Sequence, residues 1–324
     1  MRRLQFFIGS LVTFIFVNWP AHLTPPGKFS DEEVLYFQLT DDSICLRIVQ
    51  DSSLYTEGWD TLRQPLFWRK MMEIGPDTSI VNIAKNREIV GMISTWDWAY
   101  KSRREKRAYE EEIRRKHNLS GGDEIYFTSG RKHFYQFDNA LRGIDKAVGV
   151  FMEEGTDPWY AQAILLIESP GKLQVSTEGA YGAFQLMEGV ARDMGLLVND
   201  TLDERVDFEK SAAGAARLLR TICLPQTRQL CQKYNLEYNE TDLWFRLLVM
   251  HVYHAGIGNV ARAMKKIQPE AGGKELILEL WQTRSRRFGN ASQNYSQIVL
   301  AALMKLDDRV KNTGLICPPE VMMP

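Results

Sequence analysis

The chain has 324 residues, 44% of them hydrophobic and 25% charged, and 40 basic side chains nearly cancel 41 acidic ones to leave a formal charge of -1. This composition belongs to a globular protein with room for one sizeable core and a smaller region, and it excludes disordered and fibrous classes. No overall field gathers polyanions, so nucleic acid is not an expected partner.

At the N-terminus, Arg2 and Arg3 precede an uncharged run from Phe6 to Val17. That is the layout of an export signal. The run is shorter than the roughly 20 apolar residues of a full membrane span, and Asn18-Trp19-Pro20-Ala21-His22 offers no clean small-x-small cleavage site. Residues 1–25 are therefore a cleaved signal peptide or an uncleaved anchor held by residues 4–19, and both imply an exported protein of the periplasm or cell envelope. Four cysteines follow: Cys45, Cys223, Cys231 and Cys317. In an oxidising compartment Cys223 and Cys231 could bridge a loop while Cys45 and Cys317 tie the two ends; four free buried thiols is the alternative. No histidine stands at metal-ligand spacing from them, so a zinc site is not expected.

Pro25 and Pro26 mark a linker. Residues 28–60 hold eight acidic and two basic side chains; together with residues 53–74 they are expected to form short helices of a small N-terminal region. Residues 77–98 fit a hairpin of two β-branched runs around Lys85 to Glu88, although Ile80, Ile83 and Ala84 also fit a helix, so residues 26–130 are α or α+β. Between Lys101 and Lys116 eight basic residues face four glutamates. Polar residues on every side predict an exposed helix connecting two bodies.

From about Phe134 the pattern turns helical. Apolar residues recur every third or fourth position up to Gly155, and Thr156-Asp157-Pro158 supplies capping residues and a first-turn proline for the next helix. Further helical runs cover 207–222, 242–254, 274–285 and 292–306, with no long alternating strand pattern after residue 130. Residues 131–312 are thus predicted to be a mainly α domain, and residues 313–324 a C-terminal tail.

One helix ends on a carboxylate. Residues 161–167 are apolar on nearly every face apart from Gln162, and Glu168 closes the run. Desolvation and the partial negative charge of a helix C-terminus both disfavour an ionised carboxylate there. An acid still protonated near neutral pH can give its proton to a leaving group. Gly179, Ala180, Gly182 and Ala183 follow, small enough to let backbone approach backbone or a ligand, with Gln185 and Met187 just beyond.

These residues resemble the lysozyme-like lytic transglycosylases of the soluble type, whose first motif runs Glu-Ser, a serine, Gly-Ala-x-Gly-Leu-Met-Gln and Leu-Met-Pro. Here the chain reads Glu168-Ser169, Ser176, Gly179-Ala180-Tyr181-Gly182-Ala183-Phe184-Gln185 and Leu186-Met187-Glu188. The family's Tyr-Asn-Ala-Gly is similar to Tyr253-His254-Ala255-Gly256, its late Asn-Tyr to Asn294-Tyr295, and its packing helix to the stretch around Gly214. The likeness spans about residues 135 to 310. Departures are Ala183 and Phe184 for Leu-Met, Glu188 for proline and His254 for asparagine, with one residue fewer between the glutamate and the serine.

The resemblance implies a lysozyme-like α-helical fold and cleavage of the peptidoglycan bond between N-acetylmuramic acid and N-acetylglucosamine by one carboxylate. That group protonates the bridging oxygen and then deprotonates the sugar's own C6 hydroxyl, leaving a 1,6-anhydro end. Carried over, Glu168 is the general acid and then the base, and Tyr295 orients it. Ser169, Gln185 and Tyr253, with Ala180 and Gly182, line the sugar subsites. Neither metal nor organic cofactor is implied, and the expected partners are peptidoglycan strands. Two rival expectations stand beside this: a hydrolytic muramidase of goose-lysozyme type on the same fold, and a non-catalytic glycan-binding scaffold. At His254, packing rather than titration is expected.

Overall fold

The computed structural model describes residues 34–39, 45–130, 137–168, 176 and 179–317. The N-terminal part is α+β. Strands β1 (Val34–Leu39) and β2 (Cys45–Val49) pair antiparallel, and β6 (Gly314–Ile316) joins β1 on its other edge. The expectation of short helices across residues 28–60 is corrected here. Five of the eight acids of that segment lie before β1 or between the two strands, and β2 alternates half-buried and buried side chains over Cys45–Ile48. Helices begin only at α1 (Ser53–Thr56) and α2 (Arg63–Met71).

Residues 77–98 form the hairpin. β3 (Thr78–Ile83) lies between β4 (Ile89–Ser94) and β5 (Ile125–Ser129), with a register shift at Val81/Asn82. α3 (Thr95–Tyr100) and α4 (Arg103–Lys116) connect β4 to β5. α4 is exposed as predicted and opens on a reciprocal Ser102/Glu105 capping box. It does not link two bodies, because both of its ends return to one sheet. Its half-buried Tyr109 and buried Ile113, one turn apart, give it an apolar seam, and Tyr109 and Trp98 meet Phe127 of β5, the latter at 3.5 Å between ring centres.

The rest is helical: α5 (Phe137–Glu153), α6 (Pro158–Glu168), α7 (Glu188–Asp193), α8 (Phe208–Leu218), α9 (Leu224–Lys233), α10 (Leu243–Ala255), α11 (Ile257–Ile267), α12 (Lys274–Gln282) and α13 (Asn290–Thr313). A π-turn at Leu219–Cys223 fuses α8 to α9. One continuous core reaches from Phe37 and Trp68 in the N-terminal part to Leu306 in α13. The described residues are thus mainly α, with a small α+β N-terminal region. No described helix is long and apolar enough to cross a membrane; residues 4–19 lie outside the described residues.

Cys45 and Cys317 form a disulfide that joins β2 to the residue after β6. Cys223 and Cys231 are free and buried, so the second bridge is not made. Eight residues of helix separate them, about 12 Å along the axis, whereas a disulfide needs Cα atoms closer than about 7 Å.

α6 is buried along all of Pro158–Ile167, and its one polar residue there, Gln162, is where the N-terminal hairpin docks. The Gln162 amide donates to Val49 O at 2.7 Å and accepts Val49 N–H at 2.9 Å, so a side chain takes the place of a neighbouring strand. At the N-terminal end of α6, Asp157 accepts the Trp159 N–H and also pairs with Arg246 of α10, which is fully buried and reaches Asp51 as well, at 2.9 and 3.1 Å.

Candidate active site

The end of α6 places Glu168 where water is scarce. Its Oε1 accepts the Tyr295 hydroxyl of α13 at 2.9 Å. Its Oε2 is shielded from solvent and finds no hydrogen-bond partner among the described residues, although the residue as a whole is only partly buried. Burial pushes the carboxyl up from 4.5 to about 7, and the Tyr295 bond pulls weakly the other way. Among the described residues no charged group contributes to that shift. A carboxyl in this state is mostly neutral below about pH 7, and with Oε1 accepting from Tyr295 the unpartnered Oε2 is the oxygen left to carry the proton.

Two aromatic residues close the site from α10 and α13. Tyr253 donates to Phe184 O at 2.7 Å, and it lies near enough to Glu168 that ionising the acid raises the phenol pKa further. Tyr295 is 6% exposed and stacks on His254, ring centres 4.1 Å apart and planes 19° from parallel. Burial holds the His254 imidazole down at about 4, so between about pH 4 and 7 it is neutral while Glu168 is mostly protonated.

The loop from Ser176 to Met187 is folded by its own backbone. Ser176 N–H donates to Ala180 O and Ser176 Oγ accepts Ala180 N–H, at 2.8 and 2.9 Å. Tyr181 and Leu186 exchange a pair of bonds around a tight turn. That turn demands Gly182: its φ is +81°, and a Cβ there would meet Arg205 O at 1.9 Å. Gln185 also takes a positive φ, and its amide donates to Gly182 O at 3.0 Å. The same loop is pressed from outside by α8, where a Cβ on Gly214 would come within 2.6 Å of Leu196 Cδ1 and 3.2 Å of Leu186 Cδ1.

Of the expected site residues, Glu168, Tyr295 and Tyr253 come together. Ala180 and Gly182 are buried in the turn beside them, with Gln185 half-buried at its end. Ser169 lies outside the described residues. Met187 packs against the core. Sequence reasoning missed Arg205. Its guanidinium donates to Gly179 O and Leu186 O at 2.9 and 3.1 Å, is held by Asp203, and lies over the Tyr181 ring. It braces both ends of the glycine turn, and no spacing signal marks it, because its targets are backbone carbonyls. The His254 stack was likewise invisible, since it joins residues on two helices.

Residues 152–276 match the family model of the transglycosylase SLT domain. That segment is therefore similar to a transglycosylase SLT domain, the family that the motifs around Glu168 resemble. The matched segment contains Glu168, the glycine turn and Tyr253-His254, whereas Tyr295 lies beyond it. No curated protein and no solved structure matches the chain.

Proposed function

We propose that the protein is an exported peptidoglycan lytic transglycosylase, with residues 131–312 as its catalytic domain, residues 26–130 as an accessory region, and Glu168 as its sole acid and base. The observation that carries this is the burial of the Glu168 carboxyl, with one oxygen held by Tyr295 and the other without a hydrogen-bond partner among the described residues. Protonated Glu168 gives the Oε2 hydrogen to the oxygen bridging N-acetylmuramic acid and N-acetylglucosamine, and the C1–O bond breaks. The carboxylate then removes the proton of the C6 hydroxyl as O6 bonds to C1. Charge and protons balance, and no water is consumed.

Glycosidases that work with two carboxylates need the second for a water or for a covalent bond. Among the described residues Glu168 pairs with a phenol and with no second carboxylate, which supports the single-acid route. Tyr295 orients the carboxyl, while Ser169, Gln185 and Tyr253, with Ala180 and Gly182, border the sugar subsites. Mass analysis of fragments released from purified sacculi tests the reading. Muropeptides one water lighter than the hydrolysed form are expected. Hydrated ends alone identify a muramidase, and binding with no release identifies a scaffold.

A further inference from the structure

The family pattern has asparagine after the motif tyrosine, and this chain has His254. An asparagine amide is planar too, but it covers less of a phenol face than an imidazole ring does. We propose that His254 is a positioning residue that aims the Tyr295 hydroxyl at Glu168, so that a ring stack does here what the pattern's asparagine does not; the inference rests on Glu168 being the catalytic acid.

The geometry supports it at three points. A phenol O–H lies in the plane of its ring, so whatever fixes that plane fixes where the hydrogen points. The His254 face, 4.1 Å away and 19° from parallel, is the aromatic contact of Tyr295 among the described residues. The two helices that carry the rings are themselves locked one turn away, where His251 Nε2 meets Ser296 Oγ at 2.8 Å and Trp281 Nε1 donates to the same oxygen at 2.7 Å. Finally, on the same α10, the preceding residue holds the glycine turn through Tyr253 and Phe184 O. Adjacent positions 253 and 254 thus fix the loop and the tyrosine, the two partners between which Glu168 sits.

His251 lies near His254 on its own helix, Tyr295 of α13 stacks on it, and Glu168 of α6 and Cys223 of the π-turn lie near Tyr295 and the adjacent Tyr253. Among the described residues none of these is a cation around neutral pH, so His254 acts through shape and not through charge.

The test uses the full chain and purified sacculi, with maximal rate, half-saturating sacculus concentration, pH profile and thermal midpoint measured for H254A, H254N, H254F and E168Q. Loosening Tyr295 by a fraction of an ångström is expected to lower the maximal rate of H254A and H254N about tenfold, with half-saturation unchanged. The high-pH limb should also move upward in both, because Glu168 loses the donor that lowers its pKa. H254F restores a flat neutral ring and should recover most of the rate and the original limb; should H254A fail to fold, H254N against H254F carries the same comparison. Wild-type rate and limb in H254A or H254N, with E168Q inactive, overturns the inference and leaves the acid assignment standing. Equal losses in H254N and H254F that follow the thermal midpoint also overturn it, as simple packing. An active E168Q overturns the underlying reading instead.

Discussion

The two ends of α6 both bury a carboxylate, and they do opposite things with it. At the N-terminal end Asp157 is met by Arg246, which Asp51 also grips, so charge is cancelled where it is desolvated. At the C-terminal end Glu168 has a phenol on one oxygen and no counter-ion among the described residues. A buried acid with a cation beside it stays ionised and serves the fold; a buried acid without one keeps its proton and becomes available for chemistry. A third acid, Asp307, shows the intermediate case. It accepts Tyr55 at 2.8 Å as Glu168 accepts Tyr295, yet Lys311 partly offsets the upward push of burial.

That contrast can be broken from either end. The largest effect is expected for Glu168→Gln, which keeps the shape and removes the proton donor: release of anhydro-muropeptides should fall by on the order of 10³-fold. Next, Arg246→Met leaves Asp51 and Asp157 buried without a cation and should lower stability by about 3–5 kcal/mol in urea unfolding. If it costs under about 1 kcal/mol, the paired end is not held by charge.

The unpaired end predicts a pH dependence of opposite sense to a salt bridge. Below about pH 4.5 Glu168 is protonated folded and unfolded, so it has no linkage effect. As pH rises towards 7 the unfolded chain ionises while the folded one resists, and stability is lost; above the folded value the cost is complete, about 3 kcal/mol. Glu168→Gln should therefore match the wild type in thermal midpoint at pH 4 and exceed it at pH 8. The wild-type activity should fall as pH rises through about 7.

The middle of the helix sharpens the comparison further. Gln162→Leu strands the N–H and C=O of Val49 and should cost about 2 kcal/mol of stability. The high-pH limb of activity should stay where it is, since neither end of the helix is touched. The smallest expected change is Tyr295→Phe, about tenfold in rate, with that limb displaced upward by loss of the donor to Oε1.

Much of this was legible in the residues. Apolar periodicity located α5, α6, α8, α10, α12 and α13, because packing a helix on a core requires that spacing. Residues 257–267 were not read as a helix, since α11 follows α10 across the single Gly256. The acidic segment misled because averaging charge over residues 28–60 merges the acids beside and between the strands with the mostly apolar strands themselves. The roles of Arg205 and Gln162 were not legible because their partners are backbone atoms 19 to 113 residues away, and a sequence lists side chains, not carbonyl positions.

By itself the sequence determined that a greasy helix must end in Glu168, and that small residues must follow it, because those properties depend on local composition and chain conformation. Only the tertiary structure decided that, among the described residues, the acid has a tyrosine and no cation for company. Neighbours from α10 and α13 are brought there by packing, and an electrostatic environment is a property of distances between segments that no local stretch encodes.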